Sequence, residues 1–265
     1  MRIDVHTHIF RDSAAEQIVA DMSRRLGLAA VGTGLPDDLL TRLDAAGLDS
    51  SVVLYAAPTP AMMHLSNRFA IEIQQRFPRL IVFASVHPHA KEWERELEIL
   101  REAGIRGLKL HPEYQGYSLA DPAVLPLLEA GMKDFVFLCH MGGLTPECTE
   151  SGVAASPRML ADLLDRVPGM RFIAAHLGGQ FLWDEALKHL AGREVWLDTA
   201  ACGAQVPATT LSAFFRRHDS EKILFGSDYP FFDPSVEINA LAERLPPSLL
   251  DRLLSNAAPL FDLPR

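Results

Sequence analysis

The chain has 265 residues, 48% of them hydrophobic and 22% charged, the proportions of an ordinary globular protein, which exclude disorder, collagen and coiled coil. A formal net charge of −9 offers no general basic field for nucleic acid or an anionic membrane, and no stretch approaches the ~18 consecutive apolar residues of a membrane span. Cys139, Cys148 and Cys202, an odd number without a C-x-x-C pair, imply neither a disulfide framework nor a zinc ribbon.

Arg2 and a strand-like run follow Met1 directly, which leaves no room for a secretory or transit segment, so a cytoplasmic protein is expected. Short apolar, β-branched runs then recur from end to end, each bounded by turn residues and followed by helical periodicity. They predict strands near 2–7, 51–57, 80–86, 105–111, 135–140, 171–176, 195–199 and 222–227. A parallel pair needs a crossover of about 30 residues, and eight such units in series use the entire chain. The expected fold class is therefore α/β, a single-domain (β/α)8 TIM barrel over residues 1–265. Residues 9–50 form the one irregular spacing, with a helix-like 14–27, a Gly-rich turn and a second helix near 36–46. Leaving the C-terminal end of the first strand, this excursion is either a lid over the barrel mouth or an ordinary surface insertion. Farther on, residues 93–104 carry an apolar stripe that stops at Gly104, and Ser156-Pro157 opens a helix that Pro168-Gly169 closes.

Ten histidines are the least ordinary number, and their placement carries the chemistry. Strand side chains alternate, so in IDVHTH residues His6 and His8 share a face with Asp4 behind them, while Ile3 and Val5 are expected to face the helices. Such an H-x-H pair presents two imidazoles to one point, as a borderline-soft cation such as Zn2+ requires. FVFLCH ends in His140, RFIAAH in His176 and KILFGSD in Asp228. Each comes last in an apolar run, and in a closed barrel those strand ends converge, so His6, His8, His140, His176 and Asp228 are expected at a single site.

At these residues the sequence resembles the amidohydrolase superfamily, in its compact metal-dependent branch related to aminocarboxymuconate semialdehyde decarboxylase. RIDVHTH, GIRGLKLHPEYQGY, FLCHMGG, FIAAHLGG, ILFGSDYPF and NAAPLF carry the resemblance, in family order from residue 2 to about 261. It implies metal ligation by His6, His8, His140 and Asp228, with His176 as an unligated acid/base or electrophilic residue in a one-metal site. Three neutral imidazoles and one carboxylate suit one divalent ion, expected to be Zn2+, with an open position for water. Asp228 can then take that water's proton and His176 relay it or polarise the substrate, which makes these two the catalytic candidates.

In GIRGLKLH, Lys109 and His111 share parity and are expected to face the barrel interior, where an unmodified, unpaired lysine is costly. Three readings stay open for Lys109: an ion pair with a substrate carboxylate, a carboxylated bridge between two metals, or a structural pair with Asp4 or another acid. His111 is a candidate beside it. Glu113, Tyr114, Tyr117 and Arg158 are weaker mouth candidates, His64, His189 and His218 are expected to be exposed, and His87 and His89 are expected near the mouth but not as ligands. Cys139 has the opposite parity from His140 and reads as a buried structural thiol. Asn256 reads as an anchor for the closing helix.

The expected activity is hydrolysis of a small, carboxylated molecule such as a lactone, amide or ester by an activated water. Non-oxidative decarboxylation or hydration of an unsaturated carboxylic acid is the alternative. A small-molecule partner is expected, with no nucleic acid or membrane, and a homodimer is possible on the resemblance. A related barrel deoxyribonuclease would also begin D-x-H-x-H, but would place a glutamate where Lys109 stands. A non-catalytic binding barrel would lack a ligand, and none is missing.

Overall fold

A computed structural model describes residues 1–263. Eight parallel strands follow one another in chain order around a barrel: β1 (Ile3–Thr7), β2 (Ser50–Leu54), β3 (Leu80–Ser85), β4 (Gly107–Leu110), β5 (Val136–Cys139), β6 (Phe172–Ala174), β7 (Trp196–Asp198) and β8 (Ile223–Leu224). The ring is joined where β8 leaves extended geometry, since Val5 N–H donates to Phe225 O and Asp228 N–H to His6 O, both at 2.8 Å. The architecture is the (β/α)8 barrel expected from the repeating strand–helix pattern, and each strand lies at its predicted place but is shorter by a residue or more. Among the described residues no helix is long and apolar enough to cross a membrane.

Two apolar layers hold the strands. Leu108, Leu110, Phe137, Cys139, Phe172 and Ala174 face the helices, while Val52, Phe83, Val136, Leu138, Ile173 and Leu224 fill the interior. The interior floor is closed by Ala257, Ala258 and Leu260 of the short helix Ala257–Leu260. Asn256 anchors that helix, as its sequence context suggested, donating to Ser220 O at 2.7 Å and to Ile223 O at 2.9 Å.

Ile3 and Val5 correct the simple alternation argument, because they belong to the interior layer and not to the helix-facing one. The register between β1 and β2 slips by one residue between Asp4 and Thr7. An extra residue in one strand resets which side chains point inward, so His6 and His8 still reach the interior above Val5.

The excursion after β1 contains the expected helices, Ala15–Leu26 and Pro36–Ala46. Its connecting turn is tied to the chain just past β8: Val31 N–H donates to Pro230 O at 2.9 Å, Gly34 N–H to Tyr229 Oη at 3.0 Å, and Tyr229 Oη to Asp38 at 2.7 Å. The Ser156 side chain caps the helix Pro157–Arg166 by accepting from Met159 N–H at 3.2 Å.

The interior is filled tightly enough that one glycine is obligatory for packing. A Cβ on Gly107 would overlap the ring of Phe83. Gly107→Ala is expected to cost about 1–3 kcal/mol through overpacking, read as a lower denaturation midpoint, and adding Phe83→Leu is expected to recover most of it. A Gly107→Ala protein as stable as the wild type would contradict this packing.

Candidate metal centre

The polar residues that close the strands meet at the C-terminal mouth. His6 and His8 come from β1 and the residue beyond it, His140 follows β5, His176 lies past β6 and Asp228 past β8. Two of these positions need unusual backbone. Phe172 and Ala174 face the helices, so plain alternation would send His176 outward as well. Left-handed geometry at His176 (φ 59°) and Leu177 (φ 55°) redirects it, and Asp228 also sits at positive φ (76°). Such conformations cost about 1–3 kcal/mol in a non-glycine residue and persist only where neighbours hold them. Here the Asp198 carboxylate accepts the His176 N–H at 2.8 Å, while Asp228 N–H is held by His6 O.

The ring nitrogens sort into two sets. His6 Nδ1 lies 2.9 Å from Asp198 Oδ2, His8 Nδ1 lies 3.3 Å from Leu54 O, and His176 Nδ1 lies 2.9 Å from Ala200 O. Carbonyl and carboxylate oxygens only accept, so these contacts assign the proton to Nδ1 in His6 and His176 and leave their Nε2 atoms with the lone pair, whereas His8 faces acceptors at both nitrogens, Leu54 O at Nδ1 and Asp228 Oδ1 at Nε2, each at 3.3 Å. His176 Nε2 then accepts from His140 Nδ1 at 3.0 Å, which leaves His140 Nε2 bare as well. That atom is buried without a hydrogen-bond partner, an arrangement that costs on the order of 1–3 kcal/mol unless something binds there. Burial, reinforced by neighbouring imidazoles and Lys109, holds His6 and His140 well below the ordinary histidine value, so both are neutral.

His6, His8 and Asp228 gather their ligating atoms within 4.8 Å of one another. Asp228 Oδ1 lies 3.3 Å from His8 Nε2 and 3.6 Å from His6 Nε2. Burial works to raise the Asp228 carboxyl, but His6, His8 and His176 outweigh it and hold the group below the usual carboxylate range. His140 is outside this triad and joins the site through its bond to His176. His6, His176 and Asp198 form a second close group, yet there the carboxylate is already occupied by the His6 ring and by the N–H groups of His176 and Ala200. Among the described residues, the close group whose side chains could hold a divalent ion is thus His6, His8 and Asp228, with His140 Nε2 buried without a partner nearby.

Lys109 and His111 share the interior, as their parity indicated. Lys109 Nζ lies 3.5 Å from His6 Nε2, and burial, partly opposed by Asp198 and Asp228, lowers its pKa to about 8. Lys109 makes no ion pair with Asp4, whose Oδ1 accepts the N–H groups of His6 and Ser227 at 3.1 and 3.0 Å and whose Oδ2 is buried without a partner. His111 stacks on His140, with ring centroids 4.3 Å apart and 10° between planes. Its Nδ1 accepts from Tyr114 N–H at 3.4 Å, leaving Nε2 as a donor.

The remaining histidines stand apart. His87 Nε2 bonds Gln115 O at 3.0 Å and His89 Nε2 lies 2.8 Å from Asp121. His218 is not exposed as expected but buried, bridging Gly192 N–H and Val195 O. Tyr117 is buried with its hydroxyl on Gln115, whereas Tyr114 is exposed. Cys139 is buried, and that burial pushes its thiol up to about 12, in keeping with a structural thiol. Gly142 is needed for a close approach: its φ is 85°, and a Cβ there would overlap the Gln180 backbone with which it forms a β-bridge. Asp198 is the site residue that the run-ending pattern also offered, in VWLDTA, and that the sequence reading left unassigned.

Solved structures similar to this chain share its fold at low identity. An uncharacterised TIM-barrel protein from Bordetella bronchiseptica is 16% identical with a TM-score of 0.77, covering 98% of each chain. A 5-carboxyvanillate decarboxylase from Novosphingobium aromaticivorans, crystallised with manganese and 4-hydroxy-3-methoxy-5-nitrobenzoic acid, is 17% identical with a TM-score of 0.73, covering 99% of this chain and 96% of that one. A Pseudomonas putida protein provisionally assigned as a 2-pyrone-4,6-dicarboxylic acid hydrolase is 20% identical with a TM-score of 0.70, covering 98% and 97%. No curated protein sequence matches. The amidohydrolase family model, however, matches residues 3–263, and with the barrel and its strand-end residues in place the chain belongs to the amidohydrolase family of enzymes.

Proposed function

We propose that the chain is a metal-dependent hydrolase of a small carboxylated molecule, such as a lactone, amide or ester, with one divalent ion held by His6, His8, His140 and Asp228. The observation that carries this reading is that His6, His8 and the ionised Asp228 gather their ligating atoms within 4.8 Å, with a buried, unpartnered His140 Nε2 in the same mouth. Zinc is the ion that such a nitrogen-rich set suits; the manganese in the decarboxylase neighbour makes Mn2+ the competing choice.

A divalent ion supplies Lewis acidity there, lowering the pKa of a coordinated water from about 15.7 toward about 7 and polarising a substrate oxygen. The chain's own residues do the rest. Asp228 is the group that would accept the proton given up by the attacking water. His176, whose Nε2 accepts from His140 Nδ1 and whose ring is held by its Nδ1 bond to Ala200 O, is the second acid/base position. Lys109, buried beside His6, offers a charge for a substrate carboxylate, and His111 offers an N–H next to it. The turn at residues 28–35 is fastened to Tyr229 and Pro230 immediately after Asp228, which supports a lid role for the excursion after β1.

Non-oxidative decarboxylation is the second reading, favoured by the carboxyvanillate decarboxylase neighbour. It uses the same ion and the same Lys109, with His176 delivering a proton to carbon in place of receiving one from water. Assaying a panel of lactones and unsaturated or aromatic carboxylic acids for both ring opening and carbon dioxide release separates the two. Ring opening without carbon dioxide supports hydrolysis, and stoichiometric carbon dioxide overturns it in favour of the second reading.

Two further outcomes are expected. Removing the metal with a chelator abolishes turnover, and one equivalent of Zn2+ or Mn2+ restores it; activity that survives complete removal would contradict the assignment. His176→Asn retains the metal but loses about 10²–10⁴-fold in kcat, the usual size of an acid/base contribution, measured by steady-state kinetics alongside metal content.

A further inference from the structure

The end of β7 supplies no ligand to the proposed ion, yet its terminal segment touches the rings that do the chemistry. Asp198 is fully buried. Its Oδ2 accepts from His6 Nδ1 at 2.9 Å, and its Oδ1 accepts from the backbone N–H groups of His176 at 2.8 Å and Ala200 at 3.1 Å. Two residues on, Ala200 O accepts from His176 Nδ1 at 2.9 Å. One carboxylate thus fixes the protonated nitrogen of the His6 ring and closes the turn that presents the acceptor for His176. Through His176 Nε2 the same order extends to His140, whose Nδ1 proton is directed there at 3.0 Å.

We propose that Asp198 is a positioning residue that sets the tautomers of His6 and His176, and so determines which ring nitrogens the other strands present to the ion. The proposal rests on the metal-centre reading above. An aspartate is required by the count of donors. Three N–H groups converge on its two oxygens, and both oxygens must accept. An asparagine keeps one oxygen, which two backbone N–H groups hold more strongly than one ring does. Its amide N–H2 then faces His6 Nδ1, and the ring can meet it only by carrying its proton on Nε2, the nitrogen that must be bare to ligate. The Lys109 ammonium at 3.5 Å from His6 Nε2 also requires a lone pair there, since an ammonium only donates. Partners that orient ligating imidazoles typically contribute 10–100-fold to metal affinity.

The test uses the full-length protein and Asp198→Asn, with two readouts. The first is the histidine tautomer in metal-free, 15N-histidine-labelled protein, read by long-range 15N–1H correlation and assigned with His6→Gln. The second is Zn2+ affinity by competition with a chromophoric chelator. Wild-type His6 is expected as the Nδ1–H form. Asp198→Asn is expected to convert it to Nε2–H and to weaken Zn2+ binding about 10–100-fold, with the metal-free melting temperature close to that of the wild type. An Asp198→Asn protein that melts much lower but binds Zn2+ as tightly as the wild type shows a merely structural role and overturns the proposal. If the variant does not fold, the wild-type tautomer decides, and an Nε2–H form of His6 overturns it. Wild-type protein that shows the Nδ1–H form but binds no Zn2+ or Mn2+ overturns the metal-centre reading and leaves the tautomer assignment standing, so the two failures are distinct.

Discussion

The site depends on a simple constraint: a neutral imidazole has one proton for two nitrogens. Wherever Nδ1 meets an acceptor, Nε2 is left with its lone pair. His6 and His176 meet Asp198 and Ala200 O in this way, His140 follows because His176 Nε2 accepts its proton, and His8 stands between Leu54 O and Asp228. These acceptors belong to the barrel frame: a carboxylate at the end of β7 and two backbone carbonyls just past or at the ends of β7 and β2. The chemistry at the mouth is therefore set by strand ends that take no direct part in it.

That arrangement has an energetic cost which the fold absorbs. Bare nitrogens and a buried lysine gather in a space walled by apolar side chains, and His140 Nε2 has no partner. His176 and Asp228 adopt left-handed backbone. Such strain and unsatisfied polarity cluster at functional sites because binding compensates them there. The two apolar layers and the helix floor supply the stability against which this is offset, and they place the rigid strands so that side chains from β1, β5, β6 and β8 reach one region.

Much of the fold was legible in the sequence because a parallel barrel repeats one local signal. An apolar, β-branched run followed by helical periodicity marked all eight strands, and a polar residue closing the run marked His140, His176 and Asp228. The same signal stood at Asp198 and was overlooked, since an aspartate before Thr-Ala also reads as an ordinary turn residue. Alternation failed at Ile3 and Val5 because a register slip is a property of strand pairing, which single-strand periodicity does not contain. It fails for His176 too, which only its position at the run's end marks: by parity the residue faces the helices, and the left-handed turn that redirects it has no signature in FIAAHLGG beyond the glycines that follow. His218 is buried for a related reason, because a histidine at a helix end is buried only when distant backbone, here Val195 O just before β7, comes to meet it.

Anomalous diffraction from crystals grown with Zn2+ or Mn2+ tests the central claim most directly. One peak per chain, coordinated by Nε2 of His6, His8 and His140 and by Asp228, with Nδ1 of His6 still on Asp198, is the result this account predicts. Two peaks bridged through a carboxylated Lys109, or a metal bound through the Nδ1 atoms, would contradict it.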